Sequence, residues 1–280
     1  GATACETNVS DGFGQTVTVR QSTVETIEYN RDKGLSVTVY LGQKRGNAST
    51  SDFSPQAIRD TVAAALSIAR YTAEDDCAGL AEKDRLARDY PQLALYFPWQ
   101  LSVEQAIELA RECEQVGFAV DPKITNSEGA TVSTSESQFI YANSLDFMGG
   151  YPISRHSVSC ALIAEHNESK QRDYWYSVAR DAVDLESAQE IGRKTGLRSA
   201  ARLGARKIAT CEVPVIFEAP IASSLIGHFA SAISGGSLYR KSSFLLDSIG
   251  EQVFAPDIQI LDLPYLPKGL GSGPFDEDGV

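Results

Sequence analysis

Alternating apolar and polar residues near the start of the chain predict a meander of β-strands. Val and Thr alternate from Gln15 to Arg20, and similar alternation extends from Val24 to Tyr29 and from Leu35 to Leu41. The polar residues 30–34 predict a turn between the last two strands. Such alternation is typical of a sheet with one covered face and one face exposed to water.

Three later segments combine helical periodicity with helix-start signals. Ser54 before Pro55 predicts the start of the first helix. Ser102 and Ser187 are each followed three residues later by Gln or Glu, which is the capping-box pattern. The helix that begins at Ser187 is expected to extend to about residue 203. The acidic, proline-punctuated segment 72–99 is predicted to be a connector.

Further strands are predicted between the second and third helices. The runs 130–135 and 138–143 flank a short polar turn, and the runs 155–165 and 172–178 predict a hairpin across residues 167–169.

The character of the sequence changes from residue 207 onward. Residues 214–217 predict a short buried strand, and a helix is expected from about Ile221 to Ile233. Beyond Ser248 prolines and glycines become dense, which predicts strands and loops.

These elements predict an α+β fold. We expect a mixed N-terminal domain of strands and covering helices, followed by the start of a β-rich C-terminal domain. The expected segments are 1–100, 101–206 and 207–280. The first residue is Gly and the only methionine is Met148, so we expect a fragment trimmed at both ends, with its last residues forming a cut strand edge.

Composition narrows the possible functions. The chain has 280 residues and a formal net charge of -12, which disfavours direct binding to nucleic acid. Its five cysteines are odd in number and lack C-x-x-C spacing, which argues against a disulfide framework or zinc ribbon and favours a cytoplasmic location. No apolar run reaches transmembrane length, so no membrane association is expected.

The common catalytic motifs are absent, including the phosphate-binding loop, G-x-S-x-G and H-E-x-x-H. Only three histidines exist. His166 is predicted to lie in a solvated hairpin turn, and His156 to have a structural role in a strand. His228 is different, because it lies on a predicted helix that follows a predicted buried strand, where a metallopeptidase could place its ligands.

Several stretches resemble the TldD/PmbA family of peptidases, specifically its PmbA (TldE) branch, and together they cover nearly the whole chain. They are VETIEYN from Val24, SDFSPQAI around Ser54, ARYTAEDDCAG around Cys77, KITNSEG from Lys123, SRHSVS around His156, ISGGSLYRKSSFLLDSIG from Ile233, and the terminal PFDEDGV.

The resemblance implies a degenerate metal motif. The metal-bearing branch carries His-Glu, three residues and a second His, which align here with Ser223, Ser224 and His228. A serine hydroxyl is a poor zinc ligand and cannot act as a general base at neutral pH. We therefore expect no catalytic residue, no metal site and no cofactor in this chain, with zinc in a partner subunit.

The function implied by the resemblance is that of the metal-free subunit in a heterodimeric metalloprotease that acts on peptides or unfolded proteins. Its partner would be a metal-bearing TldD-type subunit. In isolation the chain could also form a homodimer. Three alternatives stay open as well. The chain could modulate DNA gyrase by protein contact, act as an independent hydrolase with ligands beyond residue 280, or be a homodimeric scaffold without enzymatic activity.

Overall fold

The computed structural model describes residues 1–280. Its elements follow one another as six strands and five α-helices, with a short 3-10 turn at Ala182–Asp184. In chain order they are β1 (Ala4–Arg20), β2 (Thr23–Leu41), β3 (Lys44–Thr50), α1 (Pro55–Tyr71), α2 (Val103–Phe118), β4 (Ile124–Asn143), β5 (Met148–His166), β6 (Ser169–Ala179), α3 (Ala188–Ala201), α4 (Ala219–Ile233) and α5 (Gly235–Tyr239). The predicted α+β class is confirmed.

The six strands form one antiparallel sheet in the order β3-β2-β1-β4-β5-β6. Strand β1 pairs with β2 on one side and with β4 on the other. The segments 1–100 and 101–206 therefore contribute to the same sheet, and residues 1–205 with 263–280 form one compact unit.

The strands are longer than the sequence pattern predicted. Residues 30–34 are part of β2 and pair with residues 10–14, and the polar residues 136–137 lie within β4. Both predicted turns are wrong, because hydrogen bonds to the neighbouring strands hold these polar residues in the sheet. Strand β3 was missed because its sequence KRGNAST lacks apolar alternation.

The first hairpin turns at Gln21 and Ser22, which have φ values of 50° and 62°. Their backbone N–H groups donate to the two carboxylate oxygens of Glu114 on α2, at 2.8 and 2.7 Å. Glu114 is fully buried. This carboxylate therefore fixes the turn through two charge-assisted hydrogen bonds.

The predicted starts of the first three helices are confirmed. The Ser54 side chain accepts a hydrogen bond from Ala57 N, and the Ser187 side chain accepts one from Glu190 N. At α2 both halves of the capping box between Ser102 and Gln105 are formed.

Helices α2 and α3 cover one face of the sheet and build the main core with β1, β4 and β5. Its fully or almost fully buried members include Val17, Cys113, Val132, Leu162 and Ile191. Helix α1 covers the other end of the sheet, where Ala65 packs with Val37 and Val39 of β2.

The segment Leu263–Val280 packs on the sheet of the first unit, so the predicted cut strand edge is wrong. Phe275 is buried against the aromatic rings of Phe139, Phe147 and Tyr151. Arg180 donates to the backbone oxygens of Gly269 and Leu270. Aromatic packing and these hydrogen bonds stabilise turns here without any strand.

The second compact unit, residues 206–262, contains α4 and α5 and no strand. The strand predicted at 214–217 is wrong, since no neighbouring strand is present to pair with it, and Ile216 is 96% exposed. The strands expected beyond Ser248 are likewise not formed. Helix α4 confirms the helix predicted between Ile221 and Ile233.

None of the helices combines the length and the apolar character that crossing a lipid bilayer requires.

Our first prediction concerns the crossing of α2 and α3. A Cβ added at Gly192 would overlap the Cys113 carbonyl oxygen, whereas a Cβ at Gly227 in α4 meets no atom within 4 Å. We expect Gly192→Ala to destabilise the protein by about 3 kcal/mol, because the helices must separate. Gly227→Ala is the control and should cost nothing. Denaturant unfolding measures both, and equal stabilities would contradict the close packing.

A second prediction concerns Asp173 of β6, which is buried and paired with Arg198 of α3 and with Arg202 just after it. Burial is the largest influence and raises its pKa, but the arginines and the Tyr174 N–H outweigh it and hold the pKa below its usual value. The ionised carboxylate therefore stabilises the fold above pH 4, and this stabilisation disappears as the pH falls through the lowered pKa.

We expect Asp173→Asn to cost about 2 kcal/mol at pH 7, since Arg198 and Arg202 lose the buried carboxylate with which they pair. The difference from the unchanged protein should shrink between pH 4 and pH 2. Unfolding curves across this range test the prediction, and a difference that is independent of pH would refute it.

Candidate functional site

Helix α4 carries all three positions of the degenerate motif. Ser223 and Ser224 lie in its first turns, and His228 follows one turn after Ser224 on the same face. All three residues are exposed to solvent. The helix begins after Glu218 without a side-chain cap and has Pro220 near its start.

The two serine hydroxyls are directed back to their own helix. Ser223 Oγ donates to the Pro220 carbonyl oxygen and Ser224 Oγ donates to the Ile221 carbonyl oxygen, each at 2.7 Å. These bonds hold the hydroxyls against the helix backbone, so only the His228 imidazole offers a nitrogen ligand on this helix. A serine hydroxyl is a poor zinc ligand and no general base at neutral pH, so among these three side chains only the imidazole could serve in either role.

The other two histidines lie on strand β5, one exposed at its end and one buried within it. His166 ends β5 and is exposed beside the two-residue turn at Asn167 and Glu168, as predicted from the sequence. His156 is fully buried on β5. Its Nε2 lies 2.8 Å from the Phe97 carbonyl oxygen, and its Nδ1 lies 2.8 Å from Thr134 Oγ1.

The hydrogen bonds of His156 define its tautomer. A carbonyl oxygen only accepts, so Nε2 carries a proton, and in the neutral imidazole Nδ1 accepts from the Thr134 hydroxyl. The Trp99 ring packs edge-on against the imidazole at 5.5 Å. His156 therefore fixes the connector to the sheet, which is a structural role.

Side chains of the metal-ligating types are spread over the chain. Across residues 1–280, no three side chains of His, Cys, Asp or Glu converge in a way that could hold a metal ion. All five cysteines are free thiols, and Cys113 and Cys160 are buried in the core. The hydrogen bond with Cys113 first, and burial second, raise the pKa of the Cys160 thiol, which makes it a poor metal ligand and nucleophile.

Sequence reasoning missed a second polar cluster, around Glu6 of β1. Tyr40 donates to one Glu6 carboxylate oxygen at 3.0 Å and Tyr141 donates to the other at 2.9 Å. Glu6 and Tyr141 border a cleft of about 440 Å³ that is also lined by Arg45 and Asp278. The only sequence signal was a tyrosine at or near the end of each of two strands.

The protonation of this cluster is set by burial. Burial first, and the Glu6 carboxylate second, raise the pKa of Tyr40 to about 12, and burial also raises the pKa of Tyr141. Both phenols stay protonated at physiological pH and donate to Glu6. With both oxygens occupied, Glu6 stabilises the fold and is not arranged as a free base.

Family models match almost the whole chain in three parts. The PmbA/TldA metallopeptidase domain 1 matches residues 5–69, the central domain matches 96–203, and the C-terminal domain matches 210–280. The chain belongs to the PmbA/TldD metallopeptidase family. Helix α4, which carries Ser223, Ser224 and His228, lies within the part that matches the family's C-terminal domain.

Individual relatives agree with this assignment. Metalloprotease PmbA of Escherichia coli O157:H7 is 45% identical over 275 residues, covering 98% of this chain and 61% of that protein. A PmbA homologue of Haemophilus influenzae is 44% identical over 280 residues, covering 100% of this chain and 62% of the relative. The chain spans about three-fifths of the length of these relatives.

A solved structure from Bacteroides thetaiotaomicron, described as a candidate modulator of DNA gyrase, has a TM-score of 0.92 at 24% identity. The matched region covers 100% of this chain and 64% of the chain of the solved structure. At this identity the similarity shows that the two chains share their fold.

A third prediction follows from the ligands on α4. After zinc loading and dialysis, we expect this chain to retain much less than one zinc per molecule, because a single imidazole binds zinc too weakly. His228→Ala should leave the zinc content unchanged. Elemental analysis of both proteins provides the measurement, and stoichiometric zinc that disappears in His228→Ala would contradict the prediction.

Proposed function

We propose that this chain is the metal-free subunit of a two-chain peptidase that acts on peptides or unfolded proteins. A metal-bearing TldD-type subunit supplies the zinc and the catalytic groups. The observation that carries the proposal is the pair Ser223 and Ser224, which stand at the His-Glu positions of the family's metal motif and donate to their own helix backbone.

The physical argument concerns the activation of water. A zinc peptidase lowers the pKa of a bound water with a metal held by several ligands, and a carboxylate takes up the proton. In this chain both the first imidazole and the carboxylate are replaced by hydroxyls that cannot fulfil those roles. His228 is then a structural residue of α4 or a contact to substrate.

We also propose that the complex works in the cytoplasm. The support is the set of five free cysteines, of which Cys5, Cys77 and Cys211 are exposed. Exposed thiols of this kind are typical of a reducing compartment.

The test is proteolysis of an unfolded protein by this chain, by its metal-bearing paralogue, and by the two together in the presence of zinc. We expect turnover only with the paralogue present and an increase when this chain is added. Full turnover by this chain alone would overturn the proposal and favour an independent hydrolase.

A fourth prediction separates structural from catalytic roles in the reconstituted pair. Ser223→Ala and His228→Ala should lower turnover only as far as they lower stability. Loss of either histidine in the paralogue's motif should abolish turnover, because no water would be activated. Turnover and melting temperature are measured together, and a large fall in turnover for His228→Ala at unchanged melting temperature and pairing would assign it a catalytic role.

A further inference from the structure

Strand β2 has a long free edge. It pairs with β1 from Thr23 to Tyr40, with a bulge at Glu25, but β3 covers its outer side only from Leu35 to Leu41. Residues 23–34 therefore have an unpaired outer side that is about 40 Å long at the usual rise per residue. Residues 25–33 are all exposed to solvent.

The backbone groups of this edge point outward at alternate residues. The Tyr40 carbonyl accepts from Thr3 N on the β1 side of the strand. The register between β1 and β2 has no irregularity from Thr26 to Tyr40. In an antiparallel ladder the direction alternates, so the N–H and C=O groups of residues 27, 29, 31 and 33 are free on the outer side. They offer the ladder positions that a further strand requires.

The side chains of the edge are segregated between the two faces of the sheet. One face is apolar and basic, and the other is polar and acidic. From residue 26 onward the first face carries Ile27, Tyr29, Arg31 and Lys33, and the second carries Thr26, Glu28, Asn30 and Asp32.

The basic face also contains exposed apolar surface. The ring of Tyr29 lies 6.1 Å from the ring of Phe13 on β1, and the two residues are 57% and 46% exposed. Ile27 beside them is 44% exposed. Burial of these side chains would add to the free energy of docking, since apolar contact and main-chain pairing act together.

We propose that residues 23–34 of β2 are the docking edge for a strand of the metal-bearing partner subunit; this rests on the function proposed above. The partner strand extends the sheet. Its side chains are apolar opposite Ile27 and Tyr29, acidic opposite Arg31 and Lys33, and basic opposite Glu28 and Asp32.

The charge pattern favours a different chain over a second copy. In a two-fold pairing of this edge with itself, residues that face each other must lie on the same side of the sheet. Between residues 26 and 34 the first side then contains only basic charges and the second only acidic ones. No opposite-charge pair forms, whereas a strand with the reverse segregation gains such a pair at every charged position.

The main test is the affinity between the full chain and its metal-bearing paralogue, measured by sedimentation at low and high salt. The double variant Arg31→Glu/Lys33→Glu should weaken association by about tenfold or more at low salt, and by less at high salt. The matched control is Lys170→Glu/Arg172→Glu, which makes the same charge change on the opposite edge of the sheet. That control should not change the affinity.

A second pair of variants tests main-chain docking. Arg31→Pro removes an outward N–H together with the charge, whereas Arg31→Gln removes only the charge. We expect Arg31→Pro to bind the paralogue several-fold more weakly than Arg31→Gln at equal melting temperature. A weakening in the β6 control alone, or equal affinities for all variants, would overturn the proposal.

Two further outcomes are decisive. Self-association of the chain that is lost in Arg31→Glu/Lys33→Glu would assign the edge to a second copy and overturn the choice of partner. The binding data are also independent of catalysis. If the edge variants bind normally and the pair still degrades substrate, the docking edge is refuted and the proposed function stands. If the edge variants bind more weakly but the unsubstituted pair degrades nothing, the docking edge is supported and the proposed function is refuted.

Discussion

Strand β1 lies in the middle of the sheet and pairs with β4 from Glu6 to Val19 while β2 occupies its other side. This ladder joins residues that the family models assign to different domains, since β1 lies in the part matching domain 1 and β4 in the part matching the central domain. The main core depends on the ladder, because Val17 and Val132 face the same helices only in this register. A slip by one residue would turn each apolar side chain to the opposite face.

Local sequence signals predicted the elements whose energetics are local. The caps at Ser54, Ser102 and Ser187 and the hairpin turn after His166 have short-range hydrogen-bonding causes, and each is confirmed. The continuous length of β2 and β4 could not be predicted in this way, because polar residues are held in those strands by neighbours distant in sequence. Strand β3 could not be predicted either, because its sequence has no apolar stripe. Its Gly46 allows the backbone of α1 to pack closely against it.

The residues of the candidate site could be predicted from the sequence, but their hydrogen bonds could not. Ser223, Ser224 and His228 were found from their alignment with a known motif, and their place on a helix followed from its apolar periodicity. The bonds of the serine hydroxyls to the helix backbone could not be deduced from residue types. The cluster of Glu6, Tyr40 and Tyr141 was not predictable either, because its members lie on three strands that are far apart along the chain.

The contact between Glu114 and the turn at Gln21 and Ser22 has a consequence for the order of folding. A two-residue hairpin is ordinarily a local structure that forms within microseconds. Here both turn residues occupy the left-handed region without being glycine, and their N–H groups find their partner more than ninety residues later, on α2. The two hydrogen bonds to Glu114 can form only after α2 has been synthesised and has docked on the sheet. The stability of this amino-terminal hairpin is therefore coupled to the docking of the central segment.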